Sequence, residues 1–115
     1  VCSLDIGSTI RPIPGDDDAN VIPTRPISNL IDRIQDAEIE ETNDKEDIHV
    51  AVVGGGAAGI ELAMGIRGRW GQSDTNTDDR RVRVTILDSN NVLFPHESIS
   101  NRNAVEKVLK DRGVT

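Results

Sequence analysis

The residues whose types and spacing are best suited to chemistry form a glycine-rich turn, Gly54, Gly55, Gly56, Ala57, Ala58 and Gly59, between a β-branched run and an apolar segment of helical character. A helix N-terminus carries unpaired N–H groups and the positive end of the helix dipole, so it can hold an anion. In the spacing G-x-G-x-x-G, the first glycine permits a tight strand-to-helix turn. The second lets the backbone approach a pyrophosphate without a Cβ, and the third lets the helix pack close to the strand. Gly54, Gly56 and Gly59 hold these three places. Gly55 completes the glycine string, and Ala57 and Ala58 are small enough to keep the cradle open.

Asp88 is the second chemical residue. It ends a second β-branched run, where a carboxylate can accept hydrogen bonds from the hydroxyls of an adenosine ribose. It lies farther from the glycines than the usual spacing of about 20 residues, and the polar stretch 72–81 accounts for the excess as an insertion. A 2'-phosphate would face the Asp88 carboxylate, and Ser89, Asn90 and Asn91 supply no cation to offset it, which favours NAD over NADP. The same features do not separate NAD from FAD, since both carry an ADP moiety.

These residues need a scaffold. Residues 48–53 read as a strand buried on both faces, the central strand, and residues 57–69 as a helix ended by Gly71. A second strand covers 82–87, and a helix over 99–112 places Ala104, Val105, Val108 and Leu109 on one side, with Gly113 as its stop. Val114 and Thr115 read as the start of a third strand. Upstream, Ser28 is the expected N-cap of a helix over 29–41 with a narrow stripe of Leu30, Ile31, Ile34 and Ala37. The prolines within residues 10–15 make that segment an extended strap. The fold expected is α/β, a Rossmann-like partial three-layer parallel sheet, incomplete as a domain.

Composition narrows the alternatives. A chain of 115 residues closes one core at most, and with aromatics at 2% that core must be built from Val, Ile, Leu and Ala. A net charge of -7 argues against nucleic acid, whose phosphates call for clustered Lys and Arg. No apolar stretch approaches the roughly 20 residues of a membrane span, so the chain is expected to be soluble. Cys2, the only cysteine, excludes a CxxC pair and an internal disulfide. His49 and His96 lack further ligands at metal-like spacing, the acidic run 16–18 reads as a solvated loop, and Trp70 reads as a packing or capping residue.

The string Val52-Val53-Gly54-Gly55-Gly56-Ala57-Ala58-Gly59-Ile60-Glu61-Leu62-Ala63 resembles the pyridine nucleotide-disulfide oxidoreductase family, where GGGxxGxExA marks the NAD domain. Asp5-Ile6-Gly7-Ser8 with Pro12-Ile13-Pro14-Gly15 looks like the family's passage out of its flavin domain, and Val84-Thr85-Ile86-Leu87-Asp88 looks like its second NAD-domain strand. The DIGS string and Arg25-Pro26-Ile27 look most like the NADH dehydrogenase-like branch, including the oxidoreductase region fused to selenide, water dikinase.

The resemblance implies three segments: 1–15 as a flavin-domain tail, 16–47 as linker and helix, and 48–115 as the first part of an NAD-binding domain. It implies hydride transfer from NADH to FAD and on to a second acceptor, with Gly7 and Ser8 as a flavin contact. Gly7 and Ser8 read equally well as a simple turn. Glu61 would lie on the nicotinamide and flavin side of the cofactor. Its other reading is an exposed first-turn glutamate stabilised by the helix dipole. The first flavin fingerprint and the C-terminal flavin segment of such an enzyme do not appear. The expectation is therefore a fragment or incomplete product that needs the missing flavin segments as partners and does not turn over alone. A noncatalytic remnant that binds nucleotide or a partner is the alternative.

Overall fold

The computed structural model describes residues 20–42, 47–71 and 82–115. Gly7, Ser8, Cys2, the strap 10–15, the acidic run 16–18 and the polar stretch 72–81 lie outside the described residues. The chain divides into two compact units, Val1–Asp44 and Lys45–Thr115.

In the first unit a short 3-10 turn, Ile27–Asn29, leads directly into helix α1, Leu30–Thr42. The sequence places Ser28 as a helix cap, but the chain starts to coil one residue earlier. Ser28 therefore sits inside the 3-10 turn, where its hydroxyl donates to Asn29 Oδ1 at 2.9 Å. Leu30, Ile34 and Ala37 are half-buried on one face, whereas Ile31 is 64% exposed and drops out of the expected stripe. Arg33 shares the half-buried face and donates from Nη1 to the Pro23 carbonyl at 3.0 Å, tying the preceding extended segment to the helix.

The second unit is a β-α-β-α arrangement: β1 (Ile48–Val53), α2 (Ala57–Trp70), β2 (Val82–Leu87) and α3 (Ile99–Asp111). The strands pair in parallel, in register from Ile48 opposite Val82 to Val53 opposite Leu87. Residues 48, 50 and 52 of β1 and 82, 84 and 86 of β2 face the helices, the period-2 alternation of a strand. Val84 and Ala63 are fully buried at the centre, with Val52, Ile60, Ile66, Leu109 and Val114 around them. Ile60, Ala63 and Ile66 recur at helical spacing, so α2 turns one stripe onto the sheet, and Ala63 allows it to lie close. Burying an isoleucine of this kind contributes about 1.5–3 kcal/mol. Trp70 packs half-buried against this core, in keeping with its expected packing role.

One expectation for this unit changes. β1 is not buried on both faces: His49, Ala51 and Val53 are exposed, Val53 at 61%. Among the described residues β1 pairs with β2 alone, and Val114 bridges in parallel to Val84 on β2, which places β2 between β1 and the incipient third strand. A solid β-branched run is compatible with burial on both faces, but the helices of this unit cover one face, so the described residues of this unit form two layers of a partial three-layer arrangement. On the open face, His49 Nε2 lies 3.0 Å from Thr85 Oγ1, and Thr85 Oγ1 lies 3.1 Å from Thr115 Oγ1, a polar row across all three strands.

Helix α3 is capped at both ends. Ser98 accepts from the Asn101 N–H at 3.2 Å, a cap the residue pattern did not suggest. At the far end Gly113 takes φ +72, its N–H donates to Lys110 O, and the Val114 N–H donates to Leu109 O. This pair of bonds is a Schellman motif, and it hands the chain into the sheet: Thr115 N–H donates to Val84 O, and Ile86 N–H to Thr115 O at 2.7 Å. Of the four apolar residues expected on one side of α3, Leu109 is buried and Val105 half-buried, while Ala104 and Val108 are exposed. Leu109→Ala is expected to cost about 2–5 kcal/mol in urea unfolding. Val108→Ala, at a site 46% exposed, should stay within about 0.5 kcal/mol. Equal losses would contradict the packing of α3 described here.

Candidate functional site

The last pair of the ladder, Val53 opposite Leu87, places the next residue of each strand side by side. Those residues are Gly54 and Asp88. The glycine turn and the acid are 33 positions apart at their point of contact, but the insertion between them is immaterial once the strands pair in register. Gly54 N–H donates to Leu87 O at 2.8 Å, carrying the ladder one residue past β1, and Gly54 then turns at φ +113, a conformation that L side chains disfavour.

Gly55 is buried, and its N–H donates to Asp88 Oδ2 at 2.6 Å. A Cβ here would meet Leu93 Cδ2 at 2.6 Å and Asp88 Oδ2 at 2.9 Å, so a side chain at position 55 requires both of those side chains to shift. The G-x-G-x-x-G pattern assigns no requirement to that place. The constraint comes from the segment after β2, which folds back over the turn and brings Leu93 against it.

Gly56 is the N-cap of α2, with φ −73 and ψ 175, and no side chain closes the helix end. Ile60 is the first amide of this end to find a backbone acceptor, the Gly56 carbonyl at 3.0 Å. The Ala57, Ala58 and Gly59 N–H groups ahead of it therefore belong to the orphan donors of a helix start. Nothing lies within 4 Å of where a Cβ on Gly56 would project, and Ala57 and Ala58 are exposed, so the cradle is open. On its inner side, a Cβ on Gly59 would overlap the Gly54 carbonyl oxygen. The three glycines thus do three different jobs, and the open, uncapped helix end fits a pyrophosphate.

Asp88 is exposed and held from two sides. Oδ2 accepts from Gly55, while Oδ1 accepts from the Asn90 backbone N–H at 2.8 Å and from Asn90 Nδ2 at 2.7 Å. The Asn90 backbone bond, followed by those of the Gly55 N–H and the Asn90 side chain, holds the Asp88 carboxyl below its ordinary range. The Asp88–Asn90 loop is an Asx-turn, and an Asp two residues before an Asn at a strand end is the sequence signal from which Asn90 could have been found.

Glu61 is exposed, as expected, but α2 begins at Ala57 and its first turn holds no acid, so Glu61 lies one turn in. Gly7 and Ser8 fall outside the described residues. His49 is engaged with Thr85, and His96 is exposed in the loop before α3. Among the described residues no group of three His, Cys, Asp or Glu side chains could hold a metal ion.

The sequence model of the pyridine nucleotide-disulphide oxidoreductases matches residues 7–115. The chain belongs to that family. No curated protein and no solved structure gives a significant match. Membership accounts for the match running through both units, and it makes this an oxidoreductase-type, nucleotide-binding fold of the class that takes FAD or NAD(P). Among the described residues no helix is long and apolar enough to cross a membrane.

Gly59→Ala is expected to lose about 1–3 kcal/mol or more of stability through overlap with Gly54. Gly56→Ala should stay within about 1 kcal/mol, because its backbone angles suit alanine and its Cβ meets nothing. Thermal melts of the two variants check the contrast, and equal behaviour would contradict the turn. A second expectation concerns protonation. A carboxyl whose folded pKa is lowered stabilises the fold above its unfolded value, about 3.9, and loses that contribution as pH falls through the lowered value. Carboxyl-carbon NMR should therefore place the Asp88 midpoint below about 3.9, and a midpoint at or above it would remove the hydrogen-bonded carboxylate.

Proposed function

We propose that the chain is the NAD(H)-binding portion of an FAD-dependent pyridine nucleotide oxidoreductase, in which hydride passes from NADH to FAD and the electrons go on to a second acceptor. The observation that carries this reading is the contact between the acid and the glycine turn. The group suited to a ribose and the helix end suited to a pyrophosphate are joined by one hydrogen bond, Gly55 N–H to Asp88 Oδ2, at one edge of the sheet. A nucleoside diphosphate presents its ribose and its phosphates next to each other, and this edge presents their partners next to each other.

In this reading the orphan amides at the start of α2 hold the pyrophosphate, and Gly56 leaves the room for it. Gly59 keeps the helix end at the strand, and Asp88 accepts a ribose hydroxyl. Glu61, on the exposed second turn of α2, is assigned to the nicotinamide side. NAD is favoured over NADP because Asp88 opposes a 2'-phosphate and Ser89, Asn90 and Asn91 bring no cation. The flavin, when bound, supplies the acceptor for the hydride. Its assignment rests on family membership, and the proposed flavin contacts, Gly7 and Ser8, belong with the segment 1–15. The NADH dehydrogenase-like branch is part of the same proposal, carried by the DIGS string and by Arg25-Pro26-Ile27.

Calorimetric titration of the full chain with NADH and NADPH tests the reading. Trp70 stands at the opposite end of α2 from the glycine turn, about 20 Å away by helical rise, so heat is a more direct readout than its fluorescence. NADH is expected to bind more tightly than NADPH. Gly56→Ala should weaken NADH about tenfold or more, or about 1.4 kcal/mol, with the fold intact. Asp88→Arg should move preference toward NADPH. A folded sample that binds neither dinucleotide would overturn the proposal.

A further inference from the structure

The two helices of the second unit are fastened unequally. Helix α2 turns Ile60, Ala63 and Ile66 into the core, whereas α3 buries Leu109 alone, with Val105 half-buried. One buried side chain is a thin anchor for a helix whose last turn must deliver Val114 and Thr115 to the sheet beside Val84. A second fastening is present where both helices end, away from the glycine turn.

Arg67 lies in the last turn of α2 and is half-buried. A Cβ on Gly113, at the end of α3, would stand 3.3 Å from Arg67 Nε, 3.5 Å from Nη2 and 3.8 Å from Cζ. Since Cζ is the farthest of the three, the guanidinium turns its Nε and Nη2 edge toward that glycine. On the other side, a Cβ on Gly71, the C-cap of α2, would overlap Nη1. It would also stand 2.5 Å from the Arg67 carbonyl oxygen. Gly71 has φ −85 and ψ −5, angles open to any residue, so space and not conformation calls for glycine there. Arg67 Nε is buried and has no acceptor among the described residues, so no hydrogen bond from Nε explains where the group sits.

Its charge does explain it. The last carbonyls of a helix lack amide partners and leave about half a negative charge at its end, where a cation is favoured. The Arg67 guanidinium stands at two such ends at once. We infer that Arg67 latches the C-terminal ends of α2 and α3 together, one cation serving both helix ends, with Gly71 and Gly113 leaving it the room. Gly113 is thus required twice, by its φ of +72 and by the guanidinium. Arg67 is a positioning residue: it holds the turn at Gly113 and, through that turn, the entry of Val114 and Thr115 into the sheet. Both helices start at the carboxyl edge of the strands, so the latch ties them at the rear and does not touch the glycine turn. None of this depends on the nucleotide reading.

Hydrogen exchange of the full chain, followed by NMR, tests the latch with Arg67→Met and Arg67→Lys. Methionine keeps an apolar stem and removes the charge, whereas lysine keeps the charge. In Arg67→Met the Val114 and Thr115 N–H groups, bonded to Leu109 O and Val84 O in the native chain, should exchange about tenfold faster, the scale of a partly buried cation at a helix C-terminus. The Gly54 N–H, bonded to Leu87 O at the opposite end of the sheet, should keep its native rate. Arg67→Lys should restore most of the protection. Equal acceleration at all three amides would show a loss of global stability and nothing local, and that overturns the inference. So do unchanged rates in Arg67→Met, or an Arg67→Lys chain that exchanges as fast as Arg67→Met. If either variant does not fold, the native chain still decides. Helix-end electrostatics are screened by salt, so raising salt to about 1 M should speed Val114 and Thr115 relative to Gly54, and a constant ratio overturns the latch.

Discussion

The parallel pairing of β1 with β2 is the constraint on which everything else in the second unit rests. Its register runs without a slip to Val53 opposite Leu87, so the two strands end together. Because they end together, the first residue of the turn and the acid after the second strand fall side by side, and the Gly55 N–H reaches the Asp88 carboxylate. A shift of one residue would turn every side chain of one strand to the other face, expose Val84 or Val52, and part the turn from its acid. Core and site are therefore set by the same ladder, and the length of chain between the strands has no bearing on either.

The parts legible in the sequence were those governed by local pattern. The bounds of β1 and β2 follow from β-branched runs closed by glycine or aspartate, and the span of α2 from an Ala-rich segment between Gly56 and Gly71. The roles of Gly54 and Gly59 follow from motif spacing. Less legible was whatever depends on partners distant in sequence. Nothing in the residues 48–53 says whether a second layer will cover them, and among the described residues of this unit none does. Ser28 has the chemistry of a cap, but whether a hydroxyl caps depends on where the chain first coils, which was one residue earlier. Gly55 carried no requirement in the motif because its neighbours, Leu93 and Asp88, arrive from beyond β2. Asn90 was read only as the absence of a cation, and its backbone N–H and Nδ2 both donate to Asp88 Oδ1.

The segment after β2 has more to do than connect. Between Asp88 and Ser98 it makes an Asx-turn, places Leu93 under the glycine turn, passes Phe94 at φ +49 and closes on the Ser98 cap of α3. Each device is local and polar or sterically small, and none has the periodicity that identifies helices and strands. Here they give a charged group a fixed direction at the protein surface. That is harder than burying an apolar one, because water competes for every bond, and three donors on one carboxylate meet that competition.

The open face of the sheet bears on how the molecule behaves in company. Among the described residues the outer edge of β1 pairs with no strand, and Val53 and Leu87, 61% and 51% exposed, lie together at its carboxyl end. Toward the amino end, His49 and Arg83 sit opposite each other on the same exposed face and make that half a poor template for adding strands. The exposed face is thus graded along the strands, polar toward the amino end at His49 and Arg83 and apolar toward the carboxyl end beside the glycine turn. The exposed apolar surface of the sheet is therefore concentrated beside the glycine turn.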